Sequence, residues 1–90
     1  MGDAVAGAAV VVLGDNAAVA VAWHPTRQPI PQRVAIGRRA GASQIVGLAR
    51  RYQIAVHRDA ELAAELVEGE GPVPDRNWGR LAEIIAAVRR

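Results

Sequence analysis

The apolar positions change period along the chain. From Ala8 to Leu13 they are contiguous and rich in valine, which predicts a short buried strand. From Ala17 to Trp23 they divide between two faces, with Val19, Val21 and Trp23 on one and alanines on the other. This is the period of a strand, and the small second face predicts a closely packed neighbour there too. Gly14-Asp15-Asn16 separates the two runs, and such residues tolerate positive φ or close turns through their side chains. Two adjacent strands around a tight turn are therefore expected.

Pro25, Pro29 and Pro31 interrupt the next stretch, His24 to Gln32. Proline lacks an N–H, so this density argues against a central strand or a helix interior and predicts an extended connection. A short strand is expected over Arg33 to Ile36, ended by Gly37. The spacing then becomes helical: Ala42, Ile45, Leu48, Ala49 and Tyr52 predict a helix over Arg39 to Tyr52. Gln53 to Val56 reads as another short strand. Asp59 is expected to cap a helix over Ala60 to Val67, with Leu62 and Leu66 inward. Glu68 to Pro74 reads as a turn. Asp75 is expected to cap a last helix with Trp78, Leu81, Ala82, Ile85 and Val88 inward, and Arg89 and Arg90 complementing its dipole. The order is β-β-β-α-β-α-α. It predicts an α/β domain, a small mixed sheet of about four strands packed with three to four helices. Residues 1–7 are expected to form a flexible N-terminus and residues 8–90 a single domain.

Composition narrows the chemistry. The chain has 90 residues and no cysteine, so disulfides and thiolate metal sites are excluded. With no phenylalanine, the core must be built from Ala, Val, Leu and Ile. Every basic residue is arginine, yet the net charge is only +2, a weak sign of a nucleic-acid partner. No apolar run approaches a membrane span, and Ala4 to Leu13 lacks the basic leader of a signal peptide. The expectation is a cytoplasmic protein without membrane insertion.

The motifs together resemble a known family. Ala18-Val-Ala-Val-Ala-Trp23 is followed by Ile30-Pro31 and by Val34-Ala-Ile-Gly37. Ile45-x-x-Leu-Ala-Arg50 runs into Ile54-Ala-Val56. Leu62-Ala-Ala-Glu-Leu66 precedes Val73-Pro74 and Trp78-x-x-Leu-Ala-Glu-Ile84. Each motif is common, but their order and spacing across about four fifths of the chain resemble the cytoplasmic domain of the FlhB/YscU/EscU/HrcU-type export-switch family of flagellar and type III secretion systems.

The departures carry as much meaning. In that family an Asn-Pro-Thr-His loop precedes the alternating strand, and its asparagine attacks its own carbonyl to cut the chain before proline. Counting back from the strand, those positions here are Leu13, Gly14, Asp15 and Asn16. The nucleophilic amide and the proline are both absent, so self-cleavage is not expected. Asn16 precedes Ala17, whose β-carbon hinders cyclisation. The lysine of the family's Val-x-Ala-Lys-Gly segment is replaced by Ile36. The chain begins just before the first strand, so the expectation is a stand-alone relative lacking the family's membrane part.

No residue pattern proposes catalysis, a cofactor or a metal. His24 and His57 are far apart and have no carboxylate cluster, Ser43 lies inside a predicted helix, and Gly37 to Gly41 is no P-loop. Arg38, Arg39, Arg50, Arg51 and Arg58 read either as solvated helix ends or as a surface for an acidic protein partner. Pro29 and Pro31 read either as a stiff connector or as a docking segment. The resemblance implies a non-enzymatic component of the export apparatus, peripheral at the membrane. Its partners would be the cytoplasmic domains of the export gate, export substrates or their chaperones. The alternative is a small basic α/β module that binds nucleic acid, disfavoured because aromatic residues are too scattered to stack bases.

Overall fold

The computed structural model describes residues 2–89. Its elements run α1 (Gly2–Ala6), β1 (Val10–Leu13), β2 (Ala17–His24), β3 (Gln28–Arg38), α2 (Ala40–Arg51), β4 (Val56–Arg58), α3 (Ala60–Leu66), β5 (Gly71–Pro72) and α4 (Trp78–Val88), with a 3-10 turn, Asp75–Asn77, leading into α4. The sheet order is β4-β1-β2-β3-β5. The β1–β4 pair is parallel and the other pairs are antiparallel, giving the expected mixed α/β sheet.

Register assigns the two faces different jobs. Val10 pairs with Val21 and Val12 with Val19, so these valines share one face. That face packs against Leu62, Ala63 and Leu66 of α3, Val73, and Leu81 and Ile84 of α4. The other face presents Val11, Ala18 and Ala20 to Ala42, Ile45 and Ala49 of α2, with Val5 and Ala8 beside them. Alanine on that face lets α2 come close. At Gly37, a β-carbon would stand 2.5 Å from the Gly41 carbonyl carbon, so strand and helix meet backbone to backbone. Trp23 and Trp78 meet at 5.7 Å between ring centroids and close the valine side.

Several expectations need correction. Residues 2–6, expected as a flexible start, form a short helix whose Val5 is fully buried, worth roughly 1.5–3 kcal/mol. The Pro-rich connection shrinks to the turn after His24, since β3 already begins at Gln28 and contains Pro29 and Pro31. Both prolines fall between the pairs His24–Gln28 and Ala22–Gln32, where the register shifts, so their missing N–H groups cost no regular ladder bond. The strand expected over Gln53 to Val56 lies instead at Val56–Arg58. Gln53 finishes α2: at φ 59° it takes the left-handed position of a Schellman motif. There its N–H reaches Arg50 O at 3.3 Å and the Ile54 N–H reaches Ala49 O at 2.8 Å. On α4, Leu81 is buried and Trp78, Ile85 and Val88 pack against the same core as expected, but Ala82 is exposed and Ile84 is buried in its stead. Asp75 makes no side-chain cap and sits within the 3-10 turn. Arg89 follows α4 at its C-terminal end, while Arg90 lies outside the described residues.

Candidate functional site

The β1–β2 turn stands where strand ends and helix starts converge. Leu13 O accepts the Asp59 N–H at 2.9 Å, which ties the end of β1 to the head of α3. The Gly14 N–H donates to Ala17 O at 2.7 Å and closes the turn. Asn16 O accepts the Arg39 N–H at 2.8 Å, linking the turn to the start of α2. None of Gly14, Asp15 and Asn16 adopts a positive φ. Gly14 is needed for space instead, since a β-carbon there would lie 2.9 Å from the Ala63 Cβ. Leu13, which ends β1 at this turn, has a hydrocarbon side chain with no nucleophilic atom.

Charges surround this turn. Arg58 forms an ion pair with Asp15, and its other guanidinium nitrogen lies 3.5 Å from Gly14 O. Arg38 donates to Val67 O at 3.1 Å and stands 3.9 Å from Glu68. Two shallow clefts flank the turn. One, about 260 Å³, lies toward α3 and includes Ala60, Ala63 and Val67. The other, about 460 Å³, lies toward α2 and includes Arg39, Ser43, Gly47 and Arg50. Asp59 holds the α3 side in place. Its Oδ1 accepts the Leu62 N–H at 3.0 Å and its Oδ2 accepts Arg80 Nε at 2.9 Å. The Leu62 N–H, then the Arg80 guanidinium, hold its carboxyl below the usual carboxylate range.

The structure gathers some of the expected residues and separates others. Arg38, Arg39, Arg50 and Arg58 all lie around the turn or its clefts. Arg51 points away and lies 5.9 Å from the centre of the Tyr52 ring. Pro29 and Pro31 are at the opposite end of β3, whose last residue, Arg38, pairs with Ala17 beside the turn. Pro31 is buried, with its carbonyl accepting the Val73 N–H at 2.8 Å, and Pro29 O accepts Trp23 Nε1 at 3.0 Å. Both prolines are therefore built into the fold at that end. His24 closes the following turn, where its Nδ1 accepts the N–H groups of Thr26 and Arg27, each at 3.2 Å. Among the described residues, no group of three His, Asp or Glu is placed to hold a metal.

Sequence reasoning missed Arg33. Its half-buried guanidinium donates to four carbonyls: Leu66 at 3.1 Å, Glu70 at 2.9 Å, Gly71 at 3.3 Å and Pro72 at 2.7 Å. It shapes the loop from α3 to β5, and Gly69 lies so near that a β-carbon would stand 3.0 Å from Arg33 Nη1. An arginine beside the Val34-Ala-Ile36 run, and glycines at 69 and 71, were the available signals.

Comparison with known proteins gives this arrangement a context. The chain is 34% identical over 85 residues to the secretion system apparatus protein SsaU of Salmonella typhimurium, covering 91% of this chain and 24% of SsaU. It thus spans about a quarter of that relative's length. Its fold matches the EscU C-terminal domain in a variant whose asparagine is replaced by alanine, with a TM-score of 0.89. The identity is 23%, over 96% of this chain and 90% of that one. It also matches the cytoplasmic domain of FlhB from Shewanella putrefaciens, with a TM-score of 0.87 and 27% identity over 94% of this chain and 68% of that one. The model of the FlhB HrpN YscU SpaS family matches residues 1–88, and the chain belongs to that family.

Proposed function

We infer that this chain is a non-enzymatic export-switch domain of a flagellar or type III secretion apparatus. It acts by binding protein partners and does not cut itself. The partners are the cytoplasmic domains of the export gate, export substrates or their chaperones, met on the cytoplasmic side of the membrane apparatus. The observation that carries this reading is the turn itself. Leu13 and Gly14 stand where self-cutting relatives need asparagine and proline, and a hydrocarbon side chain cannot attack its own carbonyl. The bonds donated by the Asp59 N–H to Leu13 O and by the Arg39 N–H to Asn16 O support a turn kept in one conformation. Arg38, Arg39, Arg50 and Arg58 around it supply the charge for recognising a partner.

Mass spectrometry of the purified protein after prolonged incubation tests the chemistry. A single intact mass is expected, and fragments ending at Leu13 would overturn the non-cleaving reading. Affinity capture in cells that make the export apparatus tests the partners. Recovery of gate components, substrates or chaperones is expected, and repeated capture without any of them would overturn that part.

A further inference from the structure

Arg39 occupies a backbone conformation that suits glycine. It sits at φ 55°, ψ −117°, where an L-residue is strained. Among the described residues, no polar partner of its side chain offsets that strain. Among the described residues the Arg39 guanidinium makes no hydrogen bond or ion pair, and it is exposed. The one bond that ties Arg39 to the turn uses its backbone N–H, which glycine would keep. Among the described residues, no side-chain hydrogen bond or ion pair favours arginine over glycine at this position.

The surroundings suggest where the guanidinium acts. Arg39, just before α2, and Arg50, near its end, line the same cleft, with Ser43 and Gly47 of α2 between them. Arg50 lies eleven positions after Arg39, which at the helical rise is about 16 Å along the backbone. Arg50 likewise has no ion-pair or hydrogen-bond partner for its side chain among the described residues, and the facing Asp15 is already paired with Arg58. The cleft thus ends in two available cations, with a hydroxyl and a bare glycine between them. An extended chain covers about 16 Å in about five residues. We propose that this cleft is a docking site for an extended acidic segment of a partner protein, with two carboxylates about five residues apart, one on Arg39 and one on Arg50. No aromatic ring lines the cleft to stack a base, which disfavours single-stranded nucleic acid. This inference rests on the protein-binding role proposed above. Its test uses the purified chain and a synthetic ligand, so its failure would leave the result of affinity capture untouched.

The experiment is an NMR titration of the ¹⁵N-labelled protein with a Gly/Ser peptide of about ten residues carrying two glutamates at that spacing. The same peptide with glutamines, and a short single-stranded DNA, are the comparison ligands. Amide shifts at Asn16, Ser43 and Gly47 are expected with the acidic peptide and not with the glutamine peptide. Arg39→Gly should weaken binding about fivefold or more while raising the melting temperature, and Arg50→Gln should weaken it without that gain. Equal binding of the glutamine peptide, tighter binding of DNA, or unchanged affinity of Arg39→Gly would each overturn the proposal.

Discussion

The Arg80 guanidinium meets the Asp59 carboxylate at 2.9 Å, joining α4 to the head of α3, while the same carboxylate caps α3 through the Leu62 N–H. The Asp59 side chain is only 13% exposed, while the Arg80 side chain is 52% exposed, so the pair is shielded on the carboxylate side alone. Because the carboxyl is held below its ordinary value of 3.8, Asp59 adds stability at pH values above that value. The contribution fades as pH falls through the lowered value and the carboxylate is protonated. Asp59→Ala is expected to cost about 1 kcal/mol at neutral pH. Thermal melts between neutral pH and pH about 3 should show the gap between parent and variant narrowing in acid. A gap independent of pH would contradict this account.

Gln53 ends α2 in the left-handed conformation, with no turn chemistry that demands glutamine. Gln53→Gly is expected to stabilise the domain by about 1 kcal/mol. Chemical denaturation checks this through a higher midpoint at an unchanged slope. Since Gln53 is absent from the cleft shared by Arg39 and Arg50, binding there should not change.

Gly37 has no room for a side chain, because its missing β-carbon would meet the Gly41 carbonyl group at 2.5 Å. Gly37→Ala is expected to push α2 off β3 and to cost roughly 1–3 kcal/mol or more. Circular dichroism melts would register the loss. The same substitution at Gly47, where a β-carbon meets nothing within 4 Å, should be neutral or stabilising.

Arg33 holds four carbonyls of the loop between α3 and β5. Arg33→Met keeps the stem and removes the donors. It is expected to cost about 2 kcal/mol, the scale of losing hydrogen bonds from a charged donor. Hydrogen exchange should rise first in residues 67 to 73, with β1 and β2 still protected. Uniform acceleration across the sheet would mean that Arg33 supports the whole fold.

Much of this architecture follows from short-range pattern. The alternation of Val19, Val21 and Trp23 with alanines places valine on one face of β2 and alanine on the other. Asp59 before Ala60-Glu-Leu62 announces a capped helix, and the structure has that cap. The family motifs also lie along the sequence, and the chain belongs to the family they resemble. Where local reading failed, a neighbour outside the pattern decided the outcome. Val5 became helical because a buried site beside α2 receives it. The prolines entered β3 because the register slips where they fall.

The candidate site was legible in part. Its turn and its arginines could be named from their positions in the chain, but not which arginines face the turn. Arg50 shares a cleft with Arg39 while its neighbour Arg51 turns toward Tyr52, a division set by the rotation of α2 against the sheet. Element type and amphipathic faces are decided by residues a few positions apart, so the order of residues determines them directly. The Arg33 contacts join residues 33 to 39 positions apart, and Arg58 reaches Asp15 across 43. Such partners depend on strand order, register and helix seating, which arise only when the whole core closes and every element constrains the others.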